Sequence, residues 1–436
     1  MMDKTLGTQL FDPTSLESLR ADSKEEPTWL EELRRRGFDW FKELGFPTRN
    51  EEHWRYFKSS DVFEREYRFD TPLHESPSEK DIGAYLFPGL EAYLFVFVNG
   101  HFQPTLSSTP ESNDGFRLGI LTESLHEELL PQKLGGLVEI EEHSPLALNT
   151  YLMQNGLCLH VSRNIELDRP VHVLHLSSGA QPVASFPRNL ICLEEGARAS
   201  VLETYASLDE NAHFTVAATE VYCEPSSHLE HYRMQRENES ATHIGWAGVS
   251  QGRSSHYESH EVSLGSGILR RGTQVQLSDP DSICILNGLY LARGEQHMDH
   301  QTQVKHLSPD CQTRELYMGI LDDRADAVFG GLILVDQDAQ QTDAQQSNRN
   351  LLLSDEAKVT SLPQLEIYAD DVKCSHGSTT GQLDERQVFF LRSRGIGEKE
   401  ARSMLTFAFA REILERMELD PVRSRLSEEL RQRLPI

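Results

Sequence analysis

The stretch His213–Met234, HFTVAATEVYCEPSSHLEHYRM, decides the fold: two alternating runs of strand-forming residues flank a four-residue polar break. Valine, threonine, tyrosine and phenylalanine at period two are the mark of β-strands, whose successive side chains point to opposite faces. The same texture extends in both directions. AYLFVFV, LCLHV, VHVLHL, NLICL and RASVLETY precede it; HYESHEVSL, TQVQL, SICILNGLYL, ELYMGIL and AVFGGLILV follow. Between Leu157 and Glu366 there is no helical stripe, which argues against alternating βαβ units.

Two architectures use so many short strands: a pair of antiparallel sandwiches, or a β-solenoid with a narrow core. Asn-Gly hairpin turns are scarce, with Asn99-Gly100, Asn155-Gly156 and Asn287-Gly288 the main ones. Hydrophobic residues make up only 38% of the chain, and small polar residues recur inside the strands. Both features favour the solenoid, although no strict repeat period is visible.

The flanks read as helical. Over residues 27–46, Trp29, Leu30, Leu33, Gly37, Trp40, Phe41 and Leu44 form an amphipathic stripe, with Pro27 in the first turn and Pro47 as the stop. A short helix is expected around Ser15–Arg20, and a loop over 70–90. The segment Asn50–Phe57 is expected to cap the core. In the tail, Asp384 and Gln387 form a capping signature and Gly395 ends the first helix. Ala401, Leu405, Phe409, Ile413 and Met417 mark a second helix from Glu398 to about Glu418. Asp420-Pro421 is expected to cap a third that aligns Leu426, Leu430 and Leu434. The expected organisation is a helical region 1–90, a β body 91–381 and a helical region 382–436.

The charge of the 436-residue chain bounds its partners. Against 42 Lys+Arg stand 69 Asp+Glu, a formal net charge of −27. Such a surface repels nucleic-acid phosphates and anionic lipid, so neither nucleic acid nor a membrane is an expected partner. The longest apolar run, Ala92–Val98, is too short to span a bilayer. Six scattered cysteines without a CxxC pair give neither a disulfide framework nor a self-contained zinc site. The N-terminus lacks the apolar stretch of a signal peptide, and a reduced, cytoplasmic protein is expected.

Cys374 and His376 are the candidate site. Two apart on a strand, they share a face about 7 Å apart. A thiolate and an imidazole so placed can hold one soft metal or metal–sulfur cluster, and two donors leave such a centre incomplete. Asp370 shares their face and could orient the imidazole. Lys373 would favour the thiolate and Asp370 and Asp371 would oppose it. The sequence HMDH, His297–His300, is expected to be polar strand surface. Neither GxxxxGK[ST], nor G-x-S-x-G, nor a Rossmann glycine fingerprint occurs, so the chain is expected to be neither an ATPase nor an enzyme of those classes.

Several segments resemble the SufD family, β-helical subunits of the SUF iron–sulfur cluster assembly machinery. These are QQTDAQQSNRNLLLSDEAKV (Gln340–Val359), PQLEIYADDVKCSHGSTTGQLDERQVFFLRSRGI (Pro363–Ile396), EKEARSMLTFAFAREILERM (Glu398–Met417) and PTRNEEHWRYF (Pro47–Phe57). The related SufB subunits carry a cysteine where this chain has Asn348. The resemblance implies a right-handed parallel β-helix flanked by helical domains, acting as a non-enzymatic scaffold. It implies a heterodimer with a SufB-like paralogue, a SufC-like ABC-type ATPase docked on the C-terminal helices, and self-pairing as an option for the isolated chain. It also implies that Cys374 and His376 share a transient iron–sulfur cluster with the partner. The rival readings are a β-helical carbohydrate-active enzyme, with two carboxylates facing a groove, and a purely structural interaction protein.

Overall fold

The computed structural model describes residues 5–6, 12–20, 26–57, 62, 65–69, 77–110 and 115–434. From Arg198 onward the chain winds as a parallel β-solenoid. Its strands are β1 (Arg198–Ser207), β2 (Phe214–Cys223), β3 (His228–Arg236), β4 (Thr242–Gln251), β5 (His256–Ser263), β6 (Ile268–Leu277), β7 (Ile283–Ala292), β8 (His297–His306), β9 (Gln312–Leu321), β10 (Asp326–Val335), β11 (Asp343–Leu352), β12 (Lys358–Ile367) and β13 (Lys373–Gly381). Odd strands build one sheet and even strands the other, each pairing in parallel with the strand one coil away. Towards the N-terminus the odd sheet continues through Val171–Ser177 and Tyr93–Val98. The solenoid makes about eight turns.

A repeat does exist, and it is two residues long. Ser226, Ser254, Asp281, Asp310 and Gln341 all have positive φ, each two positions before an odd strand. Ser, Asp and Asn tolerate this conformation better than most residues. The next residue is small and buried: Ser227, Ser255, Ser282, Cys311, Thr342. Ser227 and Thr342 donate their hydroxyls to the carbonyls of Glu224 and Ala339 three residues back. Loop lengths between corners vary, as the register pairs Arg198↔His228 and His256↔Ile283 show, so the corner motif gives no fixed period.

Between the sheets, one side of the lumen is apolar, with Leu229, Tyr257 and Leu286 facing Val221, Val249, Val275, Val304 and Ile333. The other side is polar. Glu203 accepts from Thr219 and His231, Arg233 pairs with Glu261, and Ser263 bonds His300. Buried charges of this kind persist only when paired or hydrogen-bonded.

The helices cover the outer faces of the sheets. They are α1 (Pro13–Leu19), α2 (Thr28–Leu44), α3 (Glu79–Gly83), α4 (Leu130–Lys133), α5 (Ser144–Leu152), α6 (Glu385–Arg392), α7 (Glu398–Leu414) and α8 (Asp420–Arg433). Phe41 of α2 and Leu146, Ala147 and Leu148 of α5 join Phe214, Val216 and Ala218 over the even sheet. Gly37 lets the two helices touch, since a Cβ there would lie 2.7 Å from the Ala147 carbonyl oxygen. Over the odd sheet, Ala410, Ile413 and Leu414 of α7 and Val422, Leu426 and Leu430 of α8 cover Tyr232, Met234, Leu289 and Met318.

Several local expectations change. Gly45, at φ 66°, ends α2 two residues before Pro47, because its left-handed backbone turns the chain out of the helix once its N–H has closed the last helical bond to the Phe41 carbonyl. The expected loop over 70–90 contains α3, whose Ser78 and Asp81 form a reciprocal capping box; residues 70–76 lie outside those described. Helix α7 stops at Leu414 rather than near Glu418. Asp420 is the first residue of α8 instead of its cap. The cap of the Asn50–Phe57 segment takes shape as a short 3₁₀ turn that buries Trp54 and Phe57, with the Arg270 guanidinium 4.1 Å from the Trp54 ring centre.

Candidate functional site

Strands β12 and β13 form the last coil, and each is the outer strand of its sheet, paired on one side only. In β13, Cys374 lies opposite Ala344, His376 opposite Gln346 and Ser378 opposite Asn348. Ala344, Gln346 and Asn348 are buried side chains of β11, so Cys374, His376 and Ser378 continue the luminal column. Among the described residues, no further coil lies over them. Cys374 is therefore half-buried against the end of the apolar core, and His376 is exposed.

Partial burial pushes the Cys374 thiol up from its ordinary value; the Asp343 carboxylate adds to this and a backbone hydrogen bond at Ala344 opposes it. The acidic neighbour that counts is thus Asp343 on β11. At neutral pH the sulfur is a thiol, and a metal must displace its proton. Asp370 lies in the exposed turn before β13 and bonds to neither Cys374 nor His376. Asp371 in the same turn accepts the Gln341 backbone N–H at 2.6 Å.

Within the last coil, Ser378 donates to Ser361 at 2.9 Å, tying β13 to β12 across the lumen, and Ser361 donates at 2.7 Å to Asn348 one coil in. Asn348 is fully buried, and its amide also reaches the Tyr290 hydroxyl and the Tyr317 carbonyl. One coil further in, Gln346 and Thr302 donate to Glu315 at 3.0 and 2.6 Å. Sequence reading missed this polar lining. Its signal was the polar residues at alternate positions within strands, as in His231-x-Arg233-x-Gln235.

The same end of the molecule carries exposed apolar surface. Tyr368 follows β12 at 64% exposure, and Phe389 and Phe390 on α6 are 71% and 53% exposed. HMDH splits between faces. His300 stacks on Tyr290 in the lumen, 4.7 Å between ring centres, while Asp299 pairs outward with Arg270. Glu139, Glu142 and His143 hold ligand atoms within 4.8 Å of one another, yet Glu139 is already engaged by Lys305 at 2.9 Å and Gln274 at 2.6 Å. An open cleft of about 1100 Å³ lies elsewhere, lined by Arg117, Glu127, Cys158 and His160, with Glu127 paired to Arg117. Among the described residues, no helix is long and apolar enough to cross a membrane.

Comparison with known proteins accords with this architecture. Residues 175–409 match the family described as SUF system FeS cluster assembly, SufBD core domain, and residues 9–173 match the SufBD protein N-terminal region. The iron–sulfur cluster assembly protein SufD of Escherichia coli (strain K12) is 33% identical over 394 residues, covering 90% of each chain. An iron–sulfur cluster assembly SufBD family protein of Synechocystis sp. is 31% identical over 418 residues, 93% of this chain and 91% of the relative. The SufD of Bacillus subtilis (strain 168) is 24% identical over 97% of this chain and 98% of its own. A parallel solenoid of this length, flanked by helices and matched over nine-tenths of the chain by these relatives, places the chain in the SufBD family of SUF-system proteins, with a role in iron–sulfur cluster assembly.

Proposed function

We propose that this chain is a SufD-like, non-enzymatic scaffold subunit that supplies half of a divided assembly site. Cys374 Sγ and a ring nitrogen of His376 are the donors it offers to a nascent iron–sulfur cluster. The remaining donors come from a SufB-like paralogue that docks on the free edges of β12 and β13. One observation carries this reading: the pair sits on an edge strand at the open end of the lumen, with Cys374 half-buried and His376 exposed. An edge strand exposes a row of unused N–H and C=O groups, which a second solenoid can satisfy by continuing both sheets. The isolated chain could satisfy the same edges with a second copy of itself.

Docking also reshapes the chemistry. A partner closing the lumen removes water from around Cys374 and His376 and strengthens every charge interaction there. Because the thiol is held protonated, loading of iron releases a proton, and assembly weakens as pH falls. Asp370 is at hand to orient the imidazole only if its turn shifts on docking. The exposed pair Phe389 and Phe390 on α6 is the anchor for a SufC-like ATPase, whose movement on α6 and α7 is transmitted to the nearby last coil. All six thiols are free, as suits assembly in a reducing cytoplasm.

The test is complementation in cells that depend on this system, with complex formation followed by co-purification. Cys374→Ser/His376→Ala is expected to leave the paralogue and ATPase bound while cluster assembly falls. Normal assembly by that variant would refute the divided site. Phe389→Ser/Phe390→Ser is expected to lose the ATPase and keep the paralogue; retention of both would refute the α6 anchor.

A further inference from the structure

A buried polar side chain stands directly behind His376. In register, one luminal column runs through Glu315 on β9, Gln346 on β11 and His376 on β13, one residue per coil. Neighbouring members are about 4.8 Å apart at the backbone, the spacing of adjacent strands. Gln346 is buried at 3% exposure, and its amide lies across Gly331 of β10, where a Cβ would come 2.3 Å from Nε2. The glycine thus makes the room that the amide occupies. Glu315 is held in turn by the Thr302 hydroxyl at 2.6 Å.

The amide is satisfied at one end only. Nε2 donates to Glu315 Oε2 at 3.0 Å, whereas Oε1 is buried and accepts no hydrogen bond. A planar amide sends its nitrogen and oxygen to opposite sides of the Cγ–Cδ bond. With Nε2 directed to the coil behind, Oε1 is turned toward the coil in front, where His376 is the residue in register. A buried acceptor without a donor is costly, and an imidazole N–H is a donor of the right kind. The His376 ring is exposed and makes no hydrogen bond among the described residues. Rotation between staggered side-chain torsions is therefore open to it, and one such rotation brings a ring nitrogen against the amide.

We propose that Gln346 is a positioning residue: its Oε1 accepts the Nδ1–H of His376, so that the ring presents an unprotonated Nε2 to iron. This rests on the role given to His376 as a donor to the cluster. The two nitrogens of an imidazole lie on opposite flanks of the ring. Nδ1 turned inward to Gln346 therefore leaves Nε2 aimed outward, at the docking partner. Histidines that bind metal are ordinarily held in this way, because a hydrogen bond from the second nitrogen fixes both tautomer and ring angle. Gln346 already stands in the column, whereas Asp370 would reach the ring only after its turn shifts. An amide also suits the place better than a carboxylate, which would repel Glu315 and compete for the metal.

The tautomer of His376, read from ¹⁵N–¹H correlation spectra of the full chain labelled at histidine, tests this without any metal. The His376 signals are those lost in His376→Ala, and the buffer is alkaline so that imidazole rings are neutral. The wild-type ring is expected to carry its proton on Nδ1. Gln346→Met, close in volume but without the carbonyl, is expected to move it to Nε2, the form that exposed imidazoles favour in water. Thr302→Val, which removes the other hydrogen bond to Glu315, is expected to leave the tautomer unchanged. In cells that depend on this system, Gln346→Met is expected to lower cluster assembly by about tenfold or more with the paralogue still bound. A wild-type ring protonated on Nε2, an Nδ1–H form that survives Gln346→Met, the same shift in Thr302→Val, or full assembly by Gln346→Met would each overturn the proposal. Should Gln346→Met fail to fold, the wild-type spectrum decides the matter alone. Normal assembly by Cys374→Ser/His376→Ala would instead refute the divided site; the tautomer is read without a cluster, so the two failures are told apart.

Discussion

Gln346 donates its Nε2 to Glu315 Oε2 at 3.0 Å inside the lumen, one coil behind His376. Glu315 has no ion-pair partner among the described residues, only the amide and the Thr302 hydroxyl, and burial pushes its carboxyl up to about 7 from 4.5. A raised folded-state value means that the native protein holds the proton more tightly than the unfolded chain. The resulting stability is fully present below about 4.5 and is lost as pH rises through about 7. Across that window the loss is on the order of 3 kcal/mol. Glu315→Gln, which cannot ionise, is expected to remove this part of the pH dependence and to be the more stable form at pH 8. Urea unfolding at a series of pH values checks it. Parallel stability curves for the two proteins would show that Glu315 does not titrate in this range.

Cys374 is the half-buried thiol, whereas Cys158, Cys192, Cys223, Cys284 and Cys311 are buried. Thiol reagents attack the thiolate at accessible sulfur. A chromogenic disulfide reagent is therefore expected to label one thiol per folded chain and six after denaturation. Because the Cys374 thiol is raised, its labelling should be slow at pH 7 and accelerate into the alkaline range. Peptide mapping that finds the label on any other cysteine of the folded chain would contradict the placement of β13 at the open end.

The solenoid was legible because alternation inside each strand is a property of ten neighbouring residues. Runs such as AVFGGLILV carry it without help from the rest of the chain. The coil repeat was not legible, since it resides in Ser226-Ser227-type corners separated by loops of unequal length. Cys374-x-His376 was legible as a pair on one face for the same reason as the strands. What could not be read was which strand ends the stack, because that depends on pairing with β11 rather than on β13 itself. The end of α2 was misplaced because the chain leaves the helix at the left-handed Gly45, before Pro47 is reached. The luminal polar chain escaped because Glu203, Thr219 and His231 come together only through coiling.

Arg188 and Glu220 are both fully buried, with Arg188 Nη2 2.6 Å from Glu220 Oε1. Arg188 also donates to Asn149 Oδ1 on α5, and Glu220 accepts the backbone N–H groups of Gly135 and Leu137. The pair thus fastens α5 and the segment after α4 to the even sheet. Arg188→Met leaves the carboxylate buried without its cation, which typically costs 3–5 kcal/mol. The variant is expected to lose about that much stability in urea unfolding. Limited proteolysis should show new cleavage between 130 and 152. A loss below about 1 kcal/mol would mean that water replaces the guanidinium.

Tyr290 and Tyr317 are laid across each other's neighbours. The register pairs Tyr290 with Gly319 and Gly288 with Tyr317, so each ring covers the glycine of the adjacent coil. A Cβ at Gly288 would lie 2.2 Å from Tyr317 Cδ1, and one at Gly319 would lie 2.2 Å from Tyr290 Cε2. Both rings are buried, and Tyr290 cannot swing away without losing the Asn348 and Asn350 contacts of its hydroxyl. Gly288→Ala and Gly319→Ala are each expected to cost about 1–3 kcal/mol through overpacking. Combining Gly288→Ala with Tyr317→Leu should recover part of that cost, because the shorter side chain vacates the space the new methyl needs. A double-mutant cycle in urea measures this coupling, expected at about 1 kcal/mol or more. Strict additivity would show that the ring does not press on Gly288, and the close packing of β7 against β9 would then need another cause.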